Sequence, residues 1–210
     1  TLCLLVFVGG VAKADQSPNF VFILTDDQGW TGMSASMLRD KNVGSDYYVT
    51  PNMQRLAESG MRFSNGYSPA ALCCPSRRSL QFAQTPVRMG DDLRFAERYP
   101  TNTQRLTIPR VLKAANPRYA AAHYGKWDMR TELAPQHLGY DEGDGVTGNG
   151  NGSEGDNGTA DPIPKKEKWS GHATLNDPKR IFSITERATD FMERMHGDKR
   201  PFYVQLSHYA

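Results

Sequence analysis

The chain has 210 residues, of which 38% are hydrophobic and 23% are charged, and its net charge at pH 7 is +2. These values are typical of a folded domain, or a large part of one, and exclude the composition of a disordered chain. A charge this balanced, without a dense run of basic residues, argues against a nucleic-acid-binding protein.

Residues 1–14 resemble the end of a secretory signal peptide, with a buried strand as the alternative. An apolar run from Leu2 to Val8 is followed by Ala12-Lys13-Ala14, the small-x-small pattern of a signal-peptidase site. The run is shorter than the roughly 20 apolar residues that span a membrane, and we find no other candidate span. We therefore expect a partial signal peptide on a chain truncated at its start, and a secreted or periplasmic protein.

Strand and helix patterns then follow one another along the chain. Asn19–Thr25 is a near-continuous apolar run, which predicts a buried parallel strand. Thr50 and Pro51 predict a helix start, with Gly60 as its stop. The residues predicted on its inner face are Met53, Leu56 and Ala57.

The second half of the chain continues this alternation. We predict helices over Pro75–Leu80, after Thr107 (with Ile108, Val111 and Leu112), and from Asp177-Pro178 onwards, and strands over Tyr119–Tyr124 and Phe202–Leu206. The last helix should pack one face on the core, through Ile181, Ile184, Ala188, Phe191 and Met195. A stretch rich in Gly, Asn and Asp at about 139–165 predicts a long loop. The pattern as a whole predicts an α/β fold with a largely parallel central sheet flanked by helices.

Two acidic residues, Asp26 and Asp27, stand where the first strand is predicted to end. Ligands gather at the carboxyl ends of strands in open α/β sheets. Adjacent carboxylates repel each other unless a cation lies between them, and hard oxygen ligands suit calcium or magnesium. A metal site is one interpretation, and a polar turn that caps the next helix is the other.

Adjacent cysteines, Cys73 and Cys74, precede Pro75-Ser76-Arg77. Neighbouring cysteines rarely form a disulfide, and Cys3 falls in the predicted signal peptide, so an exported chain has no disulfide framework to explain them. A helix that starts here directs its first N–H groups at an anion, and Arg77 adds a cation that fits tetrahedral oxyanions. A nucleophile at Cys73 would face that anion, although two small buried cysteines remain the simpler interpretation.

Several motifs in order resemble the sulfatase family, in which a cysteine becomes formylglycine. Cys73-x-Pro-Ser-Arg77 resembles the modification motif, the segment 19–29 resembles the opening strand with its metal-binding aspartates, and Gly125-Lys126-Trp127 resembles the third motif. The segments 50–63 and 135–141 are similar to the stretches that link and follow these motifs. The resemblance covers the chain from about residue 19 to its end and implies an alkaline-phosphatase-like fold.

The resemblance implies a role for each matching residue. Asp26 and Asp27 would bind the metal, which is calcium in most relatives, with magnesium as the alternative. Cys73, as the hydrated aldehyde, would give one oxygen to the metal and use the other to attack sulfur. Arg77 would stabilise that hydrate, and Lys126 would contact the sulfate. A formylglycine-generating enzyme would be the maturation partner, and the substrate would be a sulfated small molecule or carbohydrate.

The chain departs from the family pattern in three places. Asp128 stands where the family has a His that assists elimination, and we take Asp128 as a candidate catalytic residue. Gln81-Phe82-Ala83 replaces the usual Thr-Gly continuation of the cysteine motif. The other metal ligands and the leaving-group His are expected beyond Ala210, with His208 structural. Residues 15–210 are therefore expected to form the N-terminal part of a catalytic domain, inactive alone.

Two alternatives to a sulfatase stay open at this point. One is a phosphonate or phosphate ester hydrolase of the same superfamily. The other is a non-catalytic relative that binds sulfated glycans, which Asp128 favours and which Cys73, Arg77 and Lys126 oppose.

Overall fold

The computed structural model describes residues 17–38, 43–91, 95–102, 104–148 and 177–209. The predicted signal peptide at 1–14 and most of the predicted loop, residues 149–165, lie outside these ranges. No helix in the described part of the chain is long and apolar enough to cross a membrane.

A four-stranded parallel sheet forms the centre of the fold. Its strands are β1 (Phe20–Leu24), β2 (Ala120–Gly125), β3 (Glu142–Gly143) and β4 (Phe202–Ser207), and their order is β1-β4-β2-β3. Every pairing is parallel. The prediction of an α/β fold with a parallel sheet is confirmed, and β2 and β4 match the strands predicted in the second half of the chain to within one residue at either end.

In the described part of the chain, six helices accompany the sheet: α1 (Pro51–Ser59), α2 (Cys73–Phe82), α3 (Pro86–Met89), α4 (Phe95–Arg98), α5 (Ile108–Ala115) and α6 (Ile181–Gly197). The four predicted helices are present as α1, α2, α5 and α6, whereas the one-turn helices α3 and α4 were not predicted. Helix α2 begins at Cys73, two residues before the predicted start, so both cysteines belong to its first turn. A short 3-10 turn, Pro178–Arg180, precedes α6.

The core lies on both faces of β2 and β4. On one face, Ala120 and Ala122 leave room for α6, which packs Ile184, Ala188 and Phe191 against them. The other face carries a mainly aromatic cluster: Phe82, Phe95, Tyr99, Trp127, Tyr140 and Tyr203 with Met89, Met129, Leu133, Leu138 and Ala121. Burial of these side chains is the main favourable contribution to the free energy of folding, at about 25 cal/mol per Å² of apolar surface removed from water.

The prediction that the first strand is buried is wrong for the described residues. Phe20, Val21 and Ile23 of β1 are 40%, 50% and 54% exposed. Among the described strands, β1 pairs only with β4 and stands at the sheet edge. An apolar run indicates a strand but not how many neighbours cover it.

Two predicted inner-face residues are also exposed. Leu56 of α1 is 68% exposed and Ile181 at the start of α6 is 41% exposed. The Thr50 hydroxyl does not cap α1, because it is hydrogen-bonded to Ser34 instead. It accepts from the Ser34 backbone N–H at 2.9 Å and lies 2.9 Å from the Ser34 hydroxyl. The other predicted core residues of α6 are buried.

The described start of the predicted loop at 139–165 belongs to the packed fold. It contains β3, which pairs with β2, and the nearly fully buried Thr147. The Thr147 hydroxyl donates to the Gly125 carbonyl at 2.6 Å and accepts from the Trp127 N–H at 3.0 Å. Thr147 therefore fixes the turn that follows β2.

Candidate active site

A cavity of about 580 Å³ lies between the end of β1 and helix α2. Four of the residues that the sequence singled out line it together: Asp26, Asp27, Cys73 and Arg77. The two aspartates are far along the chain from Cys73 and Arg77, and the two pairs meet because the end of β1 lies next to the start of α2. The cavity also has an apolar part, to which Leu24, Ala70, Ala71, Leu72, Leu80 and Ala83 contribute.

The two adjacent cysteines have different surroundings. Cys73 is half-buried and lines the cavity, whereas Cys74 is 4% exposed and its Sγ donates to the Met129 carbonyl at 3.8 Å. Burial raises the pKa of the Cys74 thiol to about 11. A thiol that is buried and protonated is a poor nucleophile, so Cys73 is the cysteine available for chemistry.

Asp26 is held by two cations. Arg77 Nη2 donates to its Oδ1 at 3.0 Å and Lys126 Nζ to its Oδ2 at 2.5 Å, and all three side chains are at most 8% exposed. Burial acts to raise the pKa of Asp26, but the hydrogen bonds from Lys126 and Arg77 outweigh it and keep the pKa below its ordinary value. The carboxylate therefore stays ionised while it is buried.

Gly125 makes the turn that presents Lys126 to Asp26. Its φ is +95°, a conformation that side chains disfavour, and a Cβ there would lie 2.1 Å from the Ser207 carbonyl oxygen. The Lys126 N–H donates to that same carbonyl at 2.8 Å. The glycine of the Gly-Lys-Trp motif is thus required by the close approach of β2 and β4.

Residues 126–130 cross the first turns of α2 and are attached to it. Arg77 Nη1 donates to the Lys126 carbonyl, and Arg78 donates to the Met129 carbonyl through Nε at 2.9 Å and Nη2 at 2.7 Å. The Asp128 N–H donates to the Thr147 carbonyl at 2.7 Å. We call α2 and residues 125–130 the inner side of the site, and residues 24–28 after β1 its outer side.

Asp128 is nearly buried, at 5% exposure, and lies between two cations. Its Oδ2 is 3.9 Å from Lys126 Nζ, and its Oδ1 is 3.4 Å from Arg130 Nε. Asp128 and Arg130 both have left-handed backbones, with φ of +48° and +49°. Such conformations cost of order 1–3 kcal/mol each and persist where the surroundings impose them, as they often do at functional sites.

Sequence reasoning missed three residues around the site: Arg130, Thr147 and His123. His123 is fully buried on β2, with its Nε2 3.1 Å from the Ser207 hydroxyl, and burial with the charge of Arg77 lowers its pKa to about 3. Arg130 had a recognisable pattern, since it is a cation two residues after an unexpected carboxylate. Thr147 and His123 had no pattern, because their roles depend on tertiary contacts.

His208, expected to be structural, lies away from these groups. The His208 Nε2 is 3.3 Å from the Thr185 hydroxyl of α6, and the His208 backbone N–H donates to the Leu24 carbonyl at 3.1 Å. Burial lowers its pKa. These contacts connect the end of β4 to both β1 and α6.

The outer side fits a hard cation in the chemistry of its donors but not in their number. Asp27 is exposed at the cavity and Asp26 supplies a second carboxylate, whereas calcium takes about 6–8 oxygens. Within the described ranges, no group of three or more His, Cys, Asp or Glu side chains is arranged to hold a metal. Asp26 and Asp27 can therefore supply only part of a coordination shell.

Known proteins are similar to this chain in sequence and fold over most of its length. The family model described as Sulfatase matches residues 18–208. N-acetylgalactosamine-6-sulfatase of Canis lupus familiaris is 29% identical over 93% of this chain and 40% of its own length. Human arylsulfatase A is 33% identical over 65% of this chain and 26% of its own length. The solved structure of Ps i-CgsB superposes with a TM-score of 0.68 at 23% identity, over 93% of this chain and 45% of that one, which supports the fold. The chain thus spans less than half the length of these relatives.

Proposed function

Because the chain belongs to the sulfatase family, we propose that it is part of an enzyme that hydrolyses sulfate esters. One observation carries the proposal: Cys73, at the start of α2, shares a cavity with Asp26, Asp27 and Arg77. The neighbouring Cys74 is buried and protonated, which leaves a single candidate for the nucleophile.

The proposed nucleophile is the aldehyde hydrate of a formylglycine at position 73. A separate maturation enzyme would oxidise the thiol-bearing carbon of Cys73 with an external two-electron oxidant; the sulfur would leave as hydrogen sulfide, and an oxygen from water would become the aldehyde oxygen. A second water would then add to the aldehyde to give two hydroxyl groups. One hydroxyl oxygen, after losing its proton, attacks sulfur, and the alcohol leaves with the oxygen of the former ester. Loss of the proton from the second hydroxyl then re-forms the aldehyde and releases sulfate.

Lys126 and Arg77 have different parts in this proposal. Arg77 is tied to the Asp26 carboxylate and the Lys126 carbonyl, so it positions both the acid and the lysine. The Lys126 ammonium is nearly buried at the end of β2, where a fixed positive charge stabilises negative charge that develops on sulfate oxygens. Asp128, 3.9 Å from that ammonium, is the candidate to accept the hydroxyl proton during elimination.

Asp26 and Asp27 would hold a calcium or magnesium ion, together with ligands from elsewhere in a longer protein. When bound, the ion would lower the pKa of the hydrate and stabilise negative charge near the sulfate. Arg77 and Lys126 balance the charge of the Asp26 carboxylate and keep its pKa below the ordinary value, so Asp26 stays ionised.

The proposed substrate class is a sulfated small molecule or carbohydrate, handled outside the cytoplasm after secretion or in a periplasm. The similarity to proteins named N-acetylgalactosamine-6-sulfatase and arylsulfatase supports this class. The predicted signal peptide supports the location.

Rates with 4-nitrophenyl sulfate and 4-nitrophenyl phosphate test the proposal in the full-length protein. We expect the sulfate ester to be the better substrate, Cys73→Ala to abolish the reaction, and the matched variant Cys74→Ala to retain most of it. A preference for the phosphate ester would favour the phosphatase alternative. Binding of sulfated glycans without turnover of either ester would favour the non-catalytic one.

A further inference from the structure

Arg130 is placed beside the first turn of α2 by contacts of its neighbours. The Met129 carbonyl accepts hydrogen bonds from Arg78 and from the Cys74 thiol, so the next residue along the chain must emerge next to the cysteines. The Asp128 carboxylate is the main cause that raises the pKa of the Arg130 guanidinium. Arg130 is therefore a permanent cation beside the first turn of α2, which carries both cysteines.

Arg130 uses only part of its hydrogen-bonding capacity inside the protein. Its Nε faces Asp128 Oδ1 at 3.4 Å, and 64% of its side chain is exposed. A guanidinium has five N–H donors in a planar fork that matches the oxygens of a tetrahedral anion. The terminal amino groups of Arg130 can thus bind an anion while Nε stays with Asp128.

Arg130 supplies the cation that compensates the charge of Asp128. Asp26 contacts Arg77 and Lys126, and Asp128 contacts Lys126 and Arg130. Asp128 Oδ2 is buried without a hydrogen-bond partner among the described residues. The carboxylate of Asp128 weakens the attraction of Lys126 for a sulfate, and a cation on the other side of Asp128 offsets that effect.

We propose that Arg130 positions the substrate anion: it offsets Asp128 and contacts the sulfate beside the first turn of α2. The inference rests on the proposed function for the identity of the anion. The Asp128–Arg130 pair is then one unit, in which the carboxylate orients Nε and the remaining guanidinium donors face the anion.

Calorimetric titration of the full-length protein with inorganic sulfate tests this inference without turnover. Arg130→Gln should weaken sulfate binding about tenfold or more, since a charge-assisted hydrogen bond is lost and Asp128 is left unbalanced. The matched control is Arg194→Gln, which removes another exposed arginine paired with a carboxylate, Glu142, that lines a different cavity. This control should bind sulfate within about twofold of the wild type.

The double variant Arg130→Gln/Asp128→Asn separates contact from compensation. It should recover part of the lost affinity, because the unbalanced carboxylate is gone, but not all of it, because the contact to sulfate is still missing. Full recovery would show that Arg130 acts only through Asp128, and an unchanged affinity in Arg130→Gln would overturn the inference outright.

Steady-state kinetics with 4-nitrophenyl sulfate keep this inference distinguishable from the proposed function. A role in positioning predicts that Arg130→Gln raises KM by about the same factor as the sulfate dissociation constant, with a smaller change in kcat. A wild type that binds sulfate but hydrolyses no ester would contradict the proposed function and leave the Arg130 test valid. A wild type that binds no sulfate would contradict the Arg130 inference.

Discussion

The inner and outer sides of the site are built very differently. On the inner side, Arg77, Lys126 and Asp128 are each 5% exposed or less and are held by side-chain and backbone hydrogen bonds. On the outer side, Asp27 is exposed and follows a strand whose apolar residues are half exposed. The comparison shows that the inner side is buried and held by many hydrogen bonds, whereas the outer side is connected to it mainly through the ion pairs of Asp26.

Replacing Lys126 should have the largest effect on stability. Lys126→Met leaves two buried carboxylates, Asp26 and Asp128, with less compensation, and breaking a buried ion pair costs about 3–5 kcal/mol. Urea unfolding measures this cost. The matched control is Lys113→Met, whose partly exposed pair with Asp141 should contribute about 1 kcal/mol or less. Equal losses of unfolding free energy in the two variants would contradict the prediction that the buried ion pairs of Lys126 stabilise the fold more than the surface pair of Lys113.

Gly125 of the inner side and Gly29, the residue that follows the outer side, give the next comparison. Gly125→Ala adds a Cβ 2.1 Å from the Ser207 carbonyl oxygen at a positive φ, so we expect a loss of about 3 kcal/mol or more in the free energy of unfolding. Gly29→Ala meets nothing within 4 Å and should change stability by about 0.5 kcal/mol or less. Thermal and urea unfolding of both variants check this, and a tolerated Gly125→Ala would contradict the close approach of β2 and β4.

Most of this architecture could be predicted from the sequence, because the spacing of apolar residues and the Gly and Pro residues at element ends are local features. The hydrophobic patterns predicted strands β2 and β4 and helix α6. The resemblance of the motifs to a known family predicted that Cys73 and Asp26 lie in one site, and both line the same cavity. Exposure of β1 and Leu56 was not predictable, since an apolar pattern does not specify what covers it. The pairing of Asp128 with Arg130 depends on two left-handed residues, which side-chain periodicity does not encode.

Buried His123, in β2 just before the inner side, makes the free energy of unfolding depend on pH. Because burial lowers its pKa from 6.5 to about 3, the folded state keeps the imidazole neutral while the unfolded state binds a proton below about pH 6.5. Its contribution to stability is full above that pH and falls by about 1.4 kcal/mol per unit towards pH 3, or about 2 kcal/mol between pH 7 and pH 5. His123→Gln should shrink the difference in unfolding free energy between these two pH values. His196→Gln, at an exposed position of α6, should leave it unchanged.

The smallest effect on stability is expected for the outer acid. Asp27 is exposed, so Asp27→Asn should change the free energy of unfolding by about 0.5 kcal/mol or less without added metal. We expect calcium to raise the melting temperature of the full-length wild type, because a ligand stabilises the state that binds it, and Asp27→Asn should lose that rise. A variant that keeps the full calcium response would show that Asp27 does not hold the metal.

The mass of the peptide that contains Cys73 tests the central claim most directly. Full-length protein made in a host with a formylglycine-generating enzyme should yield the tryptic peptide 63–77 lighter by about 18 Da, since the sulfur is exchanged for oxygen with loss of two hydrogens. Fragment ions should assign the change to Cys73, with Cys74 retained as a thiol. An unmodified Cys73, or a change located at Cys74, would contradict the account.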